Sequence, residues 1–92
     1  MELIILGQYV QGHEIYKNQT HWSIKRGPYQ VEIIEWKWDH SSYKNYSYDL
    51  KIGSEYLLHN KQSVETPEEA ITIIDTALRE YLCHKRQVEQ LY

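Results

Sequence analysis

The sequence predicts an α+β domain: an antiparallel sheet of four to six strands with one C-terminal helix packed on one face. Three observations carry this expectation. Thr66-Pro67-Glu68-Glu69 is a helix start, and apolar residues follow it at three- and four-residue spacing. Gly53-Ser54 separates two runs rich in β-branched and aromatic residues, the signal of a two-residue hairpin. Tyr46, Tyr48, Leu50 and Ile52 alternate with Ser47, Asp49 and Lys51, the period of a half-buried strand.

Taken in order, Leu3 to Val10 forms one strand in this reading and His13 to Tyr16 a weaker one. His21 to Lys25 follows, closed by Arg26-Gly27-Pro28, where proline cannot donate to a sheet ladder. The run Tyr29 to Trp38 changes phase midway: Val31 and Ile33 point one way, Ile34, Trp36 and Trp38 the other. That pattern predicts a central strand covered on both faces, or one carrying a bulge. A hairpin closed around Asp39 to Asn45 in symmetric register pairs Trp38 with Tyr46, Trp36 with Tyr48 and Ile34 with Leu50. This register puts a Trp/Tyr stripe under the helix and leaves Glu35, Lys37, Ser47, Asp49 and Lys51 to water.

The helix itself is set by local chemistry. Thr66 supplies a capping hydroxyl, Pro67 suits the first helical position, and Glu69 stands where a capping box needs an acid. Ala70, Ile71, Ile74, Ala77, Leu78, Tyr81 and Leu82 make one apolar face, with Thr72, Asp75, Arg79 and Glu80 opposite. His84-Lys85-Arg86 complement the carbonyls of a helix C-terminus, so the expected helix spans about 67–86. With strands confined to 1–64, no internal repeat and no linker composition, residues 1–92 are expected to form a single domain.

Composition bounds the partners. The 13 Asp and Glu against 10 Lys and Arg give a net charge of −3 without an acidic block, which disfavours a partner as negative as nucleic acid. Cys83 is the sole cysteine, so no disulfide can form within the chain, and a reducing compartment is expected. Leu3-Ile4-Ile5-Leu6 is too short for a signal-peptide core and follows Glu2, and no apolar run reaches membrane-spanning length. The expected location is therefore the cytoplasm, that of the host cell if a phage encodes the chain; the abundance of Ile, Lys and Tyr, with their AT-rich codons, points toward a low-GC bacterium or its phages. A chain this small buries a modest fraction of its surface, which leaves a homo-oligomer open. Nine Tyr and three Trp, with no Phe, suit half-buried sheet positions and protein interfaces alike.

Chemistry-bearing patterns are sparse. His13, His21, His40, His59 and His84 include no pair at helical ligand spacing, and His13-Glu14-Ile15-Tyr16-Lys17 departs from the metalloprotease motif at its last position. Cys83 and His84 are neighbours in a helix, about 100° apart, so adjacency gives no thiolate activation. No catalytic residue, metal ligand or cofactor is assigned. Recognition is expected instead at the loop after the long strand, through Trp38, Asp39, His40, Tyr43, Lys44 and Tyr46. The expected function is a non-catalytic protein-binding module, of the type of a phage- or mobile-element-encoded inhibitor of a host defence protein, resembling anti-CRISPR proteins in size and lack of motifs alone. A single-stranded nucleic-acid binder using sheet aromatics beside Lys37, Lys44 and Lys51 is the alternative. A small nucleotide-binding protein or enzyme with its site at a dimer interface is a second alternative.

Overall fold

The computed structural model describes residues 1–37 and 44–90, without the side chains at 60, 62, 63 and 86–90. Its elements are β1 (Glu2–Ile5), β2 (Gln8–Gln11), β3 (His13–Tyr16), β4 (Gln19–Arg26), β5 (Tyr29–Lys37), β6 (Lys44–Ile52), β7 (Glu55–Val64) and α1 (Pro67–Gln90). Strands β3 to β7 form one antiparallel sheet in sequence order, and β1 and β2 form a separate hairpin. Helix α1 packs on β5, β6 and β7, while β2 contacts β4. Leu3, Ile5 and Val10 of the hairpin share one core with Ala70 and Ile74 of the helix, so hairpin and helix cover the same sheet face. The fold is therefore the expected α+β arrangement, with the hairpin as an added layer.

That hairpin corrects the first expected strand. Leu3 to Val10 is broken by a two-residue turn at Leu6-Gly7, both with positive φ, 52° and 75°, and Ile5 pairs with Gln8. Such a turn normally shows itself through Asn-Gly or Gly-Gly. Leucine at its first position hides it. The Gly53 turn is plain by contrast: φ is 62°, Ile52 pairs with Glu55, and the strands continue on either side.

The register between β5 and β6 also differs from the symmetric expectation. Val31 pairs with Leu50, Ile33 with Tyr48 and Glu35 with Tyr46, so the pairing is displaced by three residues and the faces of β5 are exchanged. Trp22, Ile33 and Tyr48 form one buried row across β4, β5 and β6, and Val31 and Leu50 extend it. Burying these branched side chains together outweighs burial of Ile34 and Trp36, which lie on the helix-free face. There Trp36 is half-buried and its Nε1–H donates to Ser47 Oγ at 3.1 Å. Strand β5 is central, as expected, and its ladders to β4 and β6 are continuous. The irregularities fall at the margins instead. β7 shifts register against β6 three times, and β3 has only four residues with a shift between Glu14 and Tyr16.

At the helix start, Thr66 Oγ1 accepts the Glu69 amide proton at 3.2 Å, the cap that the sequence implies. Ala70 and Ile74 are fully buried on the sheet, and Ile71, Ala77 and Leu78 pack around them. The helix runs on to Gln90, beyond the expected end, so His84 and Lys85 precede its last turn. Every residue from Leu82 to Lys85 is exposed, which shows that the sheet stops beneath Tyr81.

Gly12 links β2 to β3 at a close approach. A Cβ there would stand 2.8 Å from Trp22 Cε2 and Nε1 and 2.9 Å from Thr20 Cγ2. Met1 carbonyl oxygen accepts both the Trp22 indole proton at 3.0 Å and the Gly12 amide proton at 3.1 Å. These contacts fasten the chain start onto β4 and seat the hairpin over the buried indole.

Candidate functional site

Where the β1–β2 turn, the β4–β5 turn and the flank of α1 meet, they leave an open apolar cleft of about 580 Å³. One wall comes from the helix. Leu78 and Leu82 lie one turn apart, with Asp75 and Arg79 beside them on the same flank. The opposite wall comes from Leu6, Pro28 and Tyr29 at the two turns. A volume in the range of roughly 300–1,000 Å³ with apolar walls and a few polar groups is the usual form of a binding pocket. The helix-free face carries a second hollow of about 340 Å³, but its side chains are mostly polar, among them Lys25, Glu32, Asp49 and Lys51.

Leu6 sets the cleft apart. A large side chain at φ 52° is unusual, because Cβ is crowded in left-handed backbone at a cost of roughly 1–2 kcal/mol. Arg26 holds the turn in place: its Nη1–H donates to the Leu6 carbonyl oxygen at 2.6 Å. The half-buried Leu6 side chain packs against the core and also lines the cleft. Arg26 thus connects the two turns that form the wall.

Of the residues expected from sequence, Lys44 and Tyr46 lie elsewhere. Trp38, Asp39, His40 and Tyr43 fall outside the described residues. Lys44 opens β6 with its Nζ 3.9 Å from Glu35 Oε2, and Lys37 Nζ stands 3.7 Å from Glu35 Oε1. Tyr46 is 4% exposed and its hydroxyl donates to Glu35 Oε2 at 2.5 Å, so it faces the core rather than the surrounding water. Burial, then the hydrogen bond to Glu35, then the negative charges of Glu35 and Glu68 hold the Tyr46 hydroxyl well above the usual phenol range. Lys44 and Tyr46 therefore converge on Glu35, at the other end of the sheet from the cleft; Tyr29 and Glu35 are six residues apart on β5, roughly 20 Å.

The cleft residues were not singled out by sequence. In the sequence pattern Leu6 belongs to a strand, Leu78 and Leu82 to the core face of the helix, and Arg79 to its solvated face. The available signal is the breadth of the helix's apolar face, which reaches Leu82 on the flank that lines the cleft.

Other chemistry-bearing groups stay apart. Among the described residues no group of three or more His, Cys, Asp or Glu comes together to hold a metal ion. His21 Nε2 lies 2.9 Å from Gln19 Oε1, His59 Nδ1 3.5 Å from Asp49 Oδ1, and Cys83 is exposed on the helix. Among the described residues no helix is long and apolar enough to cross a membrane. The fold and the cleft define a small α+β domain with an open apolar groove beside its helix. No protein-family model, curated protein or solved structure matches this chain.

Proposed function

We infer that the chain is a non-catalytic protein-binding module, which captures an apolar segment of its partner in the cleft between Leu6, Tyr29, Leu78 and Leu82. The observation that carries this reading is Leu6. A bulky residue is held in left-handed backbone, fixed by Arg26, so that its side chain walls an open apolar groove. Exposed apolar surface of this kind, rimmed by charge, is a common mark of an interaction site. A module without chemistry of its own acts by occupancy, as an adaptor or inhibitor of what it captures.

A pull-down from bacterial lysate, with wild-type protein beside Leu82→Lys and with and without nuclease, tests the reading. Leu82 is exposed, so its replacement leaves the fold intact. A protein partner retained by wild type after nuclease and lost by Leu82→Lys is the expected result. Retention of the same partner by both proteins would overturn the assignment to the cleft. Recovery of nucleic acid alone would favour the helix-free face, where Lys51 Nζ stands 5.3 Å from the Tyr56 ring centroid and Trp36 lies near the surface.

A further inference from the structure

We propose that the segment received by the cleft carries a carboxylate beside its apolar side chains: the partner is an acidic, apolar peptide stretch, recognised through Arg79 and Lys85. This rests on the cleft being the binding site.

The chain as a whole is acidic, at −3, so a positive patch has to be built by position. Two cations, Arg26 and Arg79, line the groove. Lys85 lies beyond the lining, three residues after Leu82 and seven after Leu78, and so one turn further along the same helix flank. Arg79 and Lys85 are both exposed. Asp75 is the one acid among the described lining residues, and it is half-buried.

Among the described helix side chains, the other acids lie at a distance. Glu68 and Glu69 occupy the first turn, ten or more residues before Arg79, and so about 15 Å away along the axis. Glu80 lies on the opposite flank of α1, given the 100° turn between neighbours. On the sheet, Glu55 shares a row with Tyr29 through Ile52, two strands over, and does not line the groove.

Arg26 already donates to the Leu6 carbonyl, so its part is to hold the wall. Arg79 and Lys85 are the groups left to meet a ligand. An apolar floor with Arg79 at its wall and Lys85 one turn beyond selects a segment in which leucine- or tryptophan-like side chains are flanked by Glu or Asp. A basic segment meets like charge at the rim, which gives discrimination even where the pair energies are small.

Fluorescence anisotropy with two labelled peptides, Glu-Leu-Trp-Leu-Glu and Lys-Leu-Trp-Leu-Lys, tests this on the intact chain. Expected is binding of the acidic peptide that weakens with added salt, and little binding of the basic one. Arg79→Glu and Lys85→Glu should each weaken the acidic peptide by roughly three- to tenfold and strengthen the basic one, while Arg79→Lys stays close to wild type. Both changes are at exposed helix positions, and matching thermal melts confirm that the fold is unchanged. Equal binding of the two peptides, or indifference to Arg79→Glu, overturns the carboxylate preference and leaves the cleft as the site. Failure of both peptides to bind at millimolar concentration overturns the preference and the cleft reading together.

Discussion

Glu35 and Tyr46 face each other across β5 and β6, and the Tyr46 hydroxyl donates to the Glu35 carboxylate at 2.5 Å on the core side of the sheet. The pair follows from the register. Once Val31 and Ile33 take the buried face, alternation carries Glu35 onto it as well, 5% exposed, and the carboxylate needs a donor there. Tyr46 supplies it from directly opposite, and Lys37 and Lys44 at 3.7 and 3.9 Å balance the charge.

Removing that donor should cost stability. Tyr46→Phe leaves a buried carboxylate short of a partner, so urea unfolding should show a loss of about 1–3 kcal/mol. An equal midpoint for the variant would mean that Glu35 finds another donor.

The same pair predicts a dependence on alkaline pH. The Tyr46 hydroxyl titrates higher in the folded chain than in the unfolded one, where it loses its proton near pH 10. Its contribution is thus complete below about pH 10 and declines above it, because the unfolded state releases its proton first. Urea midpoints at pH 8 and 11 should fall further for the wild type than for Tyr46→Phe.

Two tryptophans report the register. Trp22 is fully buried in the row with Ile33 and Tyr48, and Trp22→Ala should cost about 3–5 kcal/mol. Trp36, half-buried on the other face, should cost clearly less on the same replacement. Equal losses would instead favour the symmetric register, in which Trp36 is core.

Two glycines should fail for different reasons. Gly12→Ala drives a Cβ into the Trp22 ring at 2.8 Å, and overpacking of this kind costs roughly 1–3 kcal/mol and should shift the indole fluorescence. Gly53 has open space around it, so its penalty is conformational alone; Gly53→Ala should cost about 1 kcal/mol and Gly53→Asn much less.

Leu6 should trade stability against binding. Asparagine tolerates left-handed backbone, so Leu6→Asn should melt no lower than wild type while losing affinity for whatever fills the cleft. A lower melting temperature would show that the core contacts of Leu6 outweigh its strain.

The sequence carried the elements whose signals are local. The Thr66 cap, the Gly53-Ser54 turn and the alternation of β6 each rest on residues within a few positions of one another, and each is present. The register of β5 is not local. Ile34 and Trp36 are as apolar as Val31 and Ile33, so only the rows offered by β4 and β6 decide between faces, and a loop of unspecified geometry sets no constraint. The β1–β2 turn was hidden because leucine stands where glycine or asparagine is usual. The cleft was hidden with it, since its walls come from two turns and a helix flank that meet only in three dimensions.

The irregular margins of the sheet decide how this molecule can associate. Strand addition needs a straight run of free amides and carbonyls at even spacing, and β7 breaks that spacing at three places while β3 offers only four residues. Both outer edges of the five-stranded sheet are therefore poor templates for a neighbour's strand. Concentrated solutions should accordingly resist fibril growth through these two edges, and a partner meeting them would gain little from backbone pairing and have to hold on to side chains instead.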